Sequence, residues 1–274
     1  MNRTWIVRGL ILLVLLGCAG GAIAQWGRGR RRDIRPETAD RKGLPIWENN
    51  SQFTADLFTF VRVRYSSYGG RGWEKWATDW PDSDLNFSFR LQQLTALKVD
   101  PQGKIYELTD EAIFDFPFLY LIEPGNLLFS DEEVLALRRY LTNGGFLMVD
   151  DFWGEDEWEN FRREIKRVFP NQEPQELPLE HEIFHCVYDL KSKPMIPSIH
   201  AWEAGQTTER WDAHEAHFKA LFDDKQRMVV LICHNTDLGD GWEQEGVNPN
   251  YFRDYSEKWA YPLGINIVTY AMTH

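Results

Sequence analysis

SDEEVLALRRYLTNGGFLMVDDFW, residues 130–153, reads as a helix, a turn, a buried strand and an acid pair. Ser130 and Glu133 have the spacing of a capping box, in which each side chain satisfies the other residue's free backbone N–H, so a helix is predicted to begin there. Leu135, Leu137 and Leu141 supply its expected apolar face. Asn143-Gly144-Gly145 ends it with residues that tolerate positive φ, and Phe146-Leu147-Met148-Val149 suits a strand covered on both faces. That strand runs into Asp150-Asp151. Acids just past the carboxyl end of a buried parallel strand stand where open α/β sheets bind ligands.

The same alternation recurs on both sides of this stretch. Residues 57–65 (LFTFVRVRY) alternate as a strand with Arg62 and Arg64 on one face. After a loop rich in Gly and Trp, Asp82 or Ser83 can cap a helix reaching about Leu97, which leaves Asp79 between a strand end and a helix start. Asp100-Pro101-Gln102-Gly103 marks a turn between two short extended pieces, and residues 118–122 form the next buried strand. Residues 156–169 are a predicted helix with Trp158, Phe161, Ile165 and Phe169 on one stripe, ended by Pro170. Pro178, Pro194 and Pro197 interrupt residues 170–227. A strand over 228–233 then leads into His234-Asn235-Thr236-Asp237-Leu238-Gly239-Asp240-Gly241, and a helix from about Pro262 turns Leu263, Ile267 and Ala271 inward. Strands alternating with helices predict an α/β fold, a three-layer sandwich with a mostly parallel central sheet. Residues 53–274 show no break in composition and read as one domain.

Charge is unevenly placed. The first 42 residues hold nine Lys/Arg and three Asp/Glu, a net of +6, which leaves −18 on the rest of a chain whose total is −12. So acidic a body argues against a protein that grips a nucleic-acid backbone, and it suits either a soluble domain or one that holds cations. The 12 Trp point first to core packing and second to stacking surfaces for a small-molecule or protein partner. Residues 1–24 read as an export signal, with Arg3 and Arg8 before an apolar run over 10–16 and Ala22-Ile23-Ala24 before a cleavage point at Gln25. The expected location is therefore periplasmic or extracellular. The apolar run falls short of the ~20 residues a membrane span requires. Leu15-Leu16-Gly17-Cys18 resembles a lipoprotein cleavage box, which would lipidate Cys18. Arg28, Arg30, Arg31 and Arg32 oppose translocation, so an uncleaved anchor is the third alternative. Residues 25–52 read as a basic flexible linker. Cys186 and Cys233 remain after cleavage; both lie in apolar runs and read as buried strand residues, with a bridge between them as the alternative in an oxidising compartment.

Three constellations bear on chemistry. His181-Glu182-Ile183-Phe184-His185 matches H-E-x-x-H, a pattern that works when a helix sets both imidazoles on one face and the Glu beside a metal-bound water. Here Pro178 precedes it, residues 183–188 favour a strand, and neither His200 nor Glu203 has diagnostic third-ligand spacing, so structural loop histidines are the reading. Asp212-Ala213-His214-Glu215-Ala216-His217 sets His214 and His217 three apart, on one face of a helix. With Asp150, Asp151 or Asp237 they would make the divalent-metal site of a hydrolase; the ordinary alternative is surface histidines. The third set is Asp79, Asp150, Asp151, Asn235, Asp237 and Asp240. These suit cation or ligand binding at strand ends, or acid–base work if burial raises a pKa, against a plain capping role. Neighbours on a strand face opposite ways, so one of Asp150 and Asp151 is expected in any site. The chain carries no G-x-S-x-G elbow, P-loop or G-x-G-x-x-G, since Gly69-Gly70-Arg71-Gly72 lacks the last glycine.

Residues 58–65, 76–89 (WATDWPDSDLNFSF), 144–152 (GGFLMVDDF) and 233–242 (CHNTDLGDGW) together resemble the bacterial family called domain of unknown function 4159, over residues 53–274. The resemblance implies a flavodoxin-like sandwich of the class I glutamine amidotransferase-like kind, whose enzymes carry a nucleophilic Cys at a sharp strand-to-helix turn. After the strand that would hold this turn the chain has Asp150-Asp151-Phe152 and no cysteine, so the amidotransferase reaction is not expected. The family position matching Glu182 is often proline, which weighs further against a zinc protease. The expectation is an exported α/β domain that binds a ligand or partner at the carboxyl ends of its strands; the alternative is a metal-assisted hydrolase using clustered Asp and His.

Overall fold

Buried apolar runs that return repeatedly to one sheet must cross over between strands, and the crossovers here are mostly helical. The computed structural model describes residues 34–49, 57–68 and 74–274. Residues 35–274 form one unit. The export, lipidation and anchor readings, and the Gly69–72 loop, lie outside the described residues. Among the described residues the strands are β1 (Val61–Arg64), β2 (Ser66–Ser67), β3 (Lys104–Glu107), β4 (Phe118–Ile122), β5 (Leu127–Leu128), β6 (Phe146–Asp150), β7 (Gln175–Glu176), β8 (His217–Phe222) and β9 (Met228–His234). Seven of them make one sheet in the order β3-β1-β4-β6-β9-β8-β7, while β2 and β5 pair separately. The first five of that order are parallel, and β8 and β7 add an antiparallel edge. Numbered along the chain, the parallel strands run 2-1-3-4-5, the flavodoxin-like order whose switch point falls between β1 and β4.

Helices flank the sheet: α1 (Asp82–Leu94), α2 (Asp131–Thr142), α3 (Gly154–Val168), α4 (Ile199–Glu203) and α5 (Leu238–Glu243). A short turn, α6 (Pro249–Tyr251), continues through a π-helical stretch, Phe252–Ala260, into α7 (Tyr261–Thr273). Alternation along the strands divides the core. Phe118, Tyr120, Phe146, Met148 and Leu231 join Phe87 and Leu91 of α1, Trp242 of α5, and Leu263 and Ile267 of α7. Leu119, Leu121, Leu147 and Val149 are buried on the other face. Among the described residues, no helix is long and apolar enough to cross a membrane.

The opening stretch folds as its punctuation requires. Ser130 Oγ accepts the Glu133 N–H at 3.1 Å, and the Glu133 carboxylate accepts the Ser130 N–H at 2.7 Å. Its apolar face is corrected by one residue, however: Val134, Leu137, Tyr140 and Leu141 are buried, whereas Leu135 is 61% exposed. Positions 134, 137 and 141 repeat at helical spacing; Leu135 stands about 200° around the axis from Leu137.

Other readings change more. Residues 183–188 form no strand; Glu182–Phe184 is a 3₁₀ turn whose start is capped by the His181 ring. His214 and His217 do not share a helix, because His217 opens β8 and lies opposite His234 of β9. Cys233 is buried, but Cys186 is exposed and its thiol donates to the Asn266 carbonyl at 3.3 Å; both cysteines are free. The segment read as a flexible linker is tied down from Arg35 onward. The Trp47 indole donates to the Val99 carbonyl at 2.7 Å and packs on Phe89, and the Arg41 guanidinium donates to the Pro101 carbonyl at 2.6 Å.

Candidate metal centre

Four neighbouring strands, β1, β4, β6 and β9, each lead at their carboxyl ends toward an acid: Asp79, Glu123, Asp151 and Asp237. The backbone there is unusual. Asp79 (φ 61°), Glu123 (50°), Asp151 (55°) and Asn235 (58°) all occupy the left-handed region. A non-glycine residue held in that region costs on the order of 1–3 kcal/mol, and such residues cluster at functional sites.

Each acid is set by identifiable contacts. Arg62 of β1, fully buried, pairs with Asp84 at the start of α1 and donates to the carbonyls of Trp76 and Thr78 at 3.0 and 2.9 Å, fixing the loop that carries Asp79. Asp237 caps α5, its Oδ1 accepting the Asp240 N–H at 2.6 Å. Asp151 Oδ1 accepts the Trp153 indole N–H at 3.1 Å. Asp240 accepts the Ile199 N–H, the Tyr251 hydroxyl at 3.3 Å and the Gln244 amide at 3.2 Å. Gly239 leaves room at the centre, for a Cβ on it would overlap Asp79 Oδ2 and crowd the Tyr120 hydroxyl.

The result is two overlapping groups. One carboxylate oxygen from each of Asp79, Asp151 and Asp237 lies within 4.8 Å of the others, and the same holds for Asp79, Asp240 and Glu243. Among the described residues, no Lys, Arg or His forms an ion pair with any of these five acids. Asp79 Oδ2 is buried without a hydrogen-bond partner. Burial is the main reason the Asp79 carboxyl is held well above the usual carboxylate range; Asp240 and Glu243 push the same way, while Arg62 opposes them. Burial likewise raises Asp151, helped by Glu123 and Asp79, and Asp237, helped by Asp151 and Asp79. Glu243 is pushed up to about 7 by burial and then by Asp240. Burial of such a set favours the protonated carboxyls, and its all-oxygen donors are of the kind that suits Mg²⁺, Ca²⁺ or Mn²⁺ better than Zn²⁺.

A family model described as Domain of unknown function (DUF4159) matches residues 59–272. The chain belongs to this family. No curated protein matches it.

In this DUF4159 chain the remaining sequence candidates lie outside the two groups. Asp150 is a brace: its Oδ2 accepts the N–H groups of Leu238 and Gly239 at 3.0 Å and the Tyr120 hydroxyl at 3.1 Å, holding the start of α5 against β6. Burial lifts its carboxyl to about 7 against the pull of these bonds. Asn235 accepts the Gly154 N–H at 2.9 Å and donates to the Glu215 carbonyl at 3.0 Å, joining β9 to α3. The His217 ring stacks on His234 at 5.8 Å and faces Glu176 at 3.2 Å, and His214 is exposed. Neither histidine enters a carboxylate group. Sequence reasoning missed Glu243, although it stands three residues beyond Asp240 on the same helix. It also passed over Glu123, which pairs with Lys75 and accepts the Thr78 hydroxyl at 2.9 Å.

Proposed function

We propose that this protein is an exported α/β domain that binds its ligand through a divalent cation held by Asp79, Asp151 and Asp237. The observation that carries the reading is the convergence of these three acids, which among the described residues form no ion pair with a basic side chain. A set of largely buried carboxylates that repel one another is expensive, and a bound cation offsets both the repulsion and the desolvation cost. The location supports a ligand site, because the acids line the carboxyl edge beside the switch point of the sheet. Three protein oxygens leave open positions on a six-coordinate cation, which a ligand's own oxygens can fill. Binding is preferred to amidotransferase or histidine-assisted hydrolysis, because Asp150-Asp151 stands in place of a cysteine and both candidate histidines lie elsewhere.

Calorimetry on the chelator-treated full chain at neutral pH tests this with Mg²⁺, Ca²⁺ and Mn²⁺ in turn. At least one ion binds with release of protons. At 100 times its Kd it adds about 2.7 kcal/mol of stability. Asp151→Asn and Asp237→Asn each reduce that gain. No heat and no stabilisation from any of the three ions would overturn the proposal.

A further inference from the structure

We infer that the site holds a pair of divalent cations bridged by Asp79, one completed by Asp151 and Asp237 and the other by Asp240 and Glu243. This deepens the single-cation reading and rests on it. Oxygens that share one ion at about 2.4 Å stand no farther apart than about twice that length. The acids satisfy that limit as two trios and not as one set of five, and Asp79 is the member common to both. One ion therefore cannot collect all five.

Asp79 is suited to bridging. A carboxylate offers two oxygens and about four lone-pair sites, so it can serve two ions at once. Its Oδ2 is enclosed by protein yet meets no donor, beside a glycine whose missing side chain makes the space. The other acids are differently employed: Asp237 spends one oxygen on the Asp240 N–H, and Asp151 spends one on the Trp153 indole, leaving each a free oxygen for one ion. Charge points the same way. Beside five acids that form no ion pair among the described residues, one divalent ion leaves three charges uncompensated and two ions leave one. Carboxylate-bridged pairs of this kind lie about 3.5–4 Å apart and clamp two oxygens of one ligand.

Mn²⁺ alone is the probe, added to the chelator-treated full chain, with bound metal counted by equilibrium dialysis and coupling read by electron paramagnetic resonance. The expected result is two Mn²⁺ per chain with an exchange-coupled spectrum. Glu243→Gln leaves one uncoupled Mn²⁺, as does Asp151→Asn, and Asp79→Asn weakens both sites at least tenfold. Asparagine tolerates the positive φ at position 79, and circular dichroism melts check that each variant folds. One Mn²⁺ in the unaltered protein, two without coupling, or two retained in Glu243→Gln would each overturn the pair. No Mn²⁺ at all would instead remove the cation reading beneath it.

Discussion

Asp150 and His234 are both buried, and burial moves their titrations in opposite directions. Asp150 is raised from 3.8 to about 7, so its proton favours the folded state. Its stabilising effect is full below pH 3.8 and is lost as pH rises to about 7, a loss on the order of 4 kcal/mol. His234, 4% exposed and stacked among Phe152, Trp158 and His217, is lowered from 6.5 to about 4. Its neutral ring favours folding above pH 6.5, and that contribution, about 3 kcal/mol, is lost as pH falls to 4. Between pH 4 and 6.5 the two effects offset each other, so single variants expose them. Relative to the unaltered protein, Asp150→Asn gains stability as pH rises from 4.5 to 7.5, and His234→Gln loses it. Urea unfolding in chelator at the two pH values measures both slopes; slopes of the same sign would contradict the assignment.

The helix after Ser130 shows how an element can be read correctly and still be rotated wrongly. Leu137→Ala removes a fully buried side chain and is expected to cost about 2–5 kcal/mol, whereas Leu135→Ala changes stability by less than about 0.5 kcal/mol. Thermal or urea denaturation separates them, and equal costs would restore the face built on Leu135. The helix itself was legible because Ser130, Glu133 and Asn143-Gly144-Gly145 are local signals that survive any tertiary context. Which leucine turns inward depends on what lies beneath, and Val134 and Tyr140 take that face. His217 illustrates the opposite failure. Its three-residue spacing from His214 suggested a helix, yet His217–Phe222 alternates as a strand and pairs with β9, a partner too distant in sequence to be visible. Asp79, Asp151 and Asp237 could be singled out because each follows a recognisable strand. That Asp79 belongs to two groups could not be, because its approach to both Asp237 and Glu243 arises only when the loop after β1 folds against α5.

At the scale of the molecule, the boundary of the folded body decides what the acidic domain is. Composition placed its start near Phe53, because residues 25–52 lack any periodic apolar pattern. Its ties from Arg35 onward are isolated side-chain contacts, which leave no period to read: Arg41 to the Pro101 carbonyl, Trp47 and Asn49 to that of Val99, in return the Gln102 amide to the Pro36 carbonyl, and Lys42 to the Asp82 carboxylate. Beginning the chain at Phe53 would delete the half-buried Trp47 ring, the four hydrogen bonds to carbonyls and the exposed Lys42–Asp82 ion pair, a loss of roughly 3 kcal/mol. At about 2–4 °C per kcal/mol for a domain of this size, the melting temperature should fall by about 6–12 °C. A chain beginning at Arg35 keeps every one of these contacts and should melt with the full-length protein. Calorimetric scans of the two shortened chains in the same buffer test this directly. If both melt together, residues 35–49 are a tether resting on the surface; if only the shorter one falls, they are part of the domain, and the sequence that leads to it ends before Arg35.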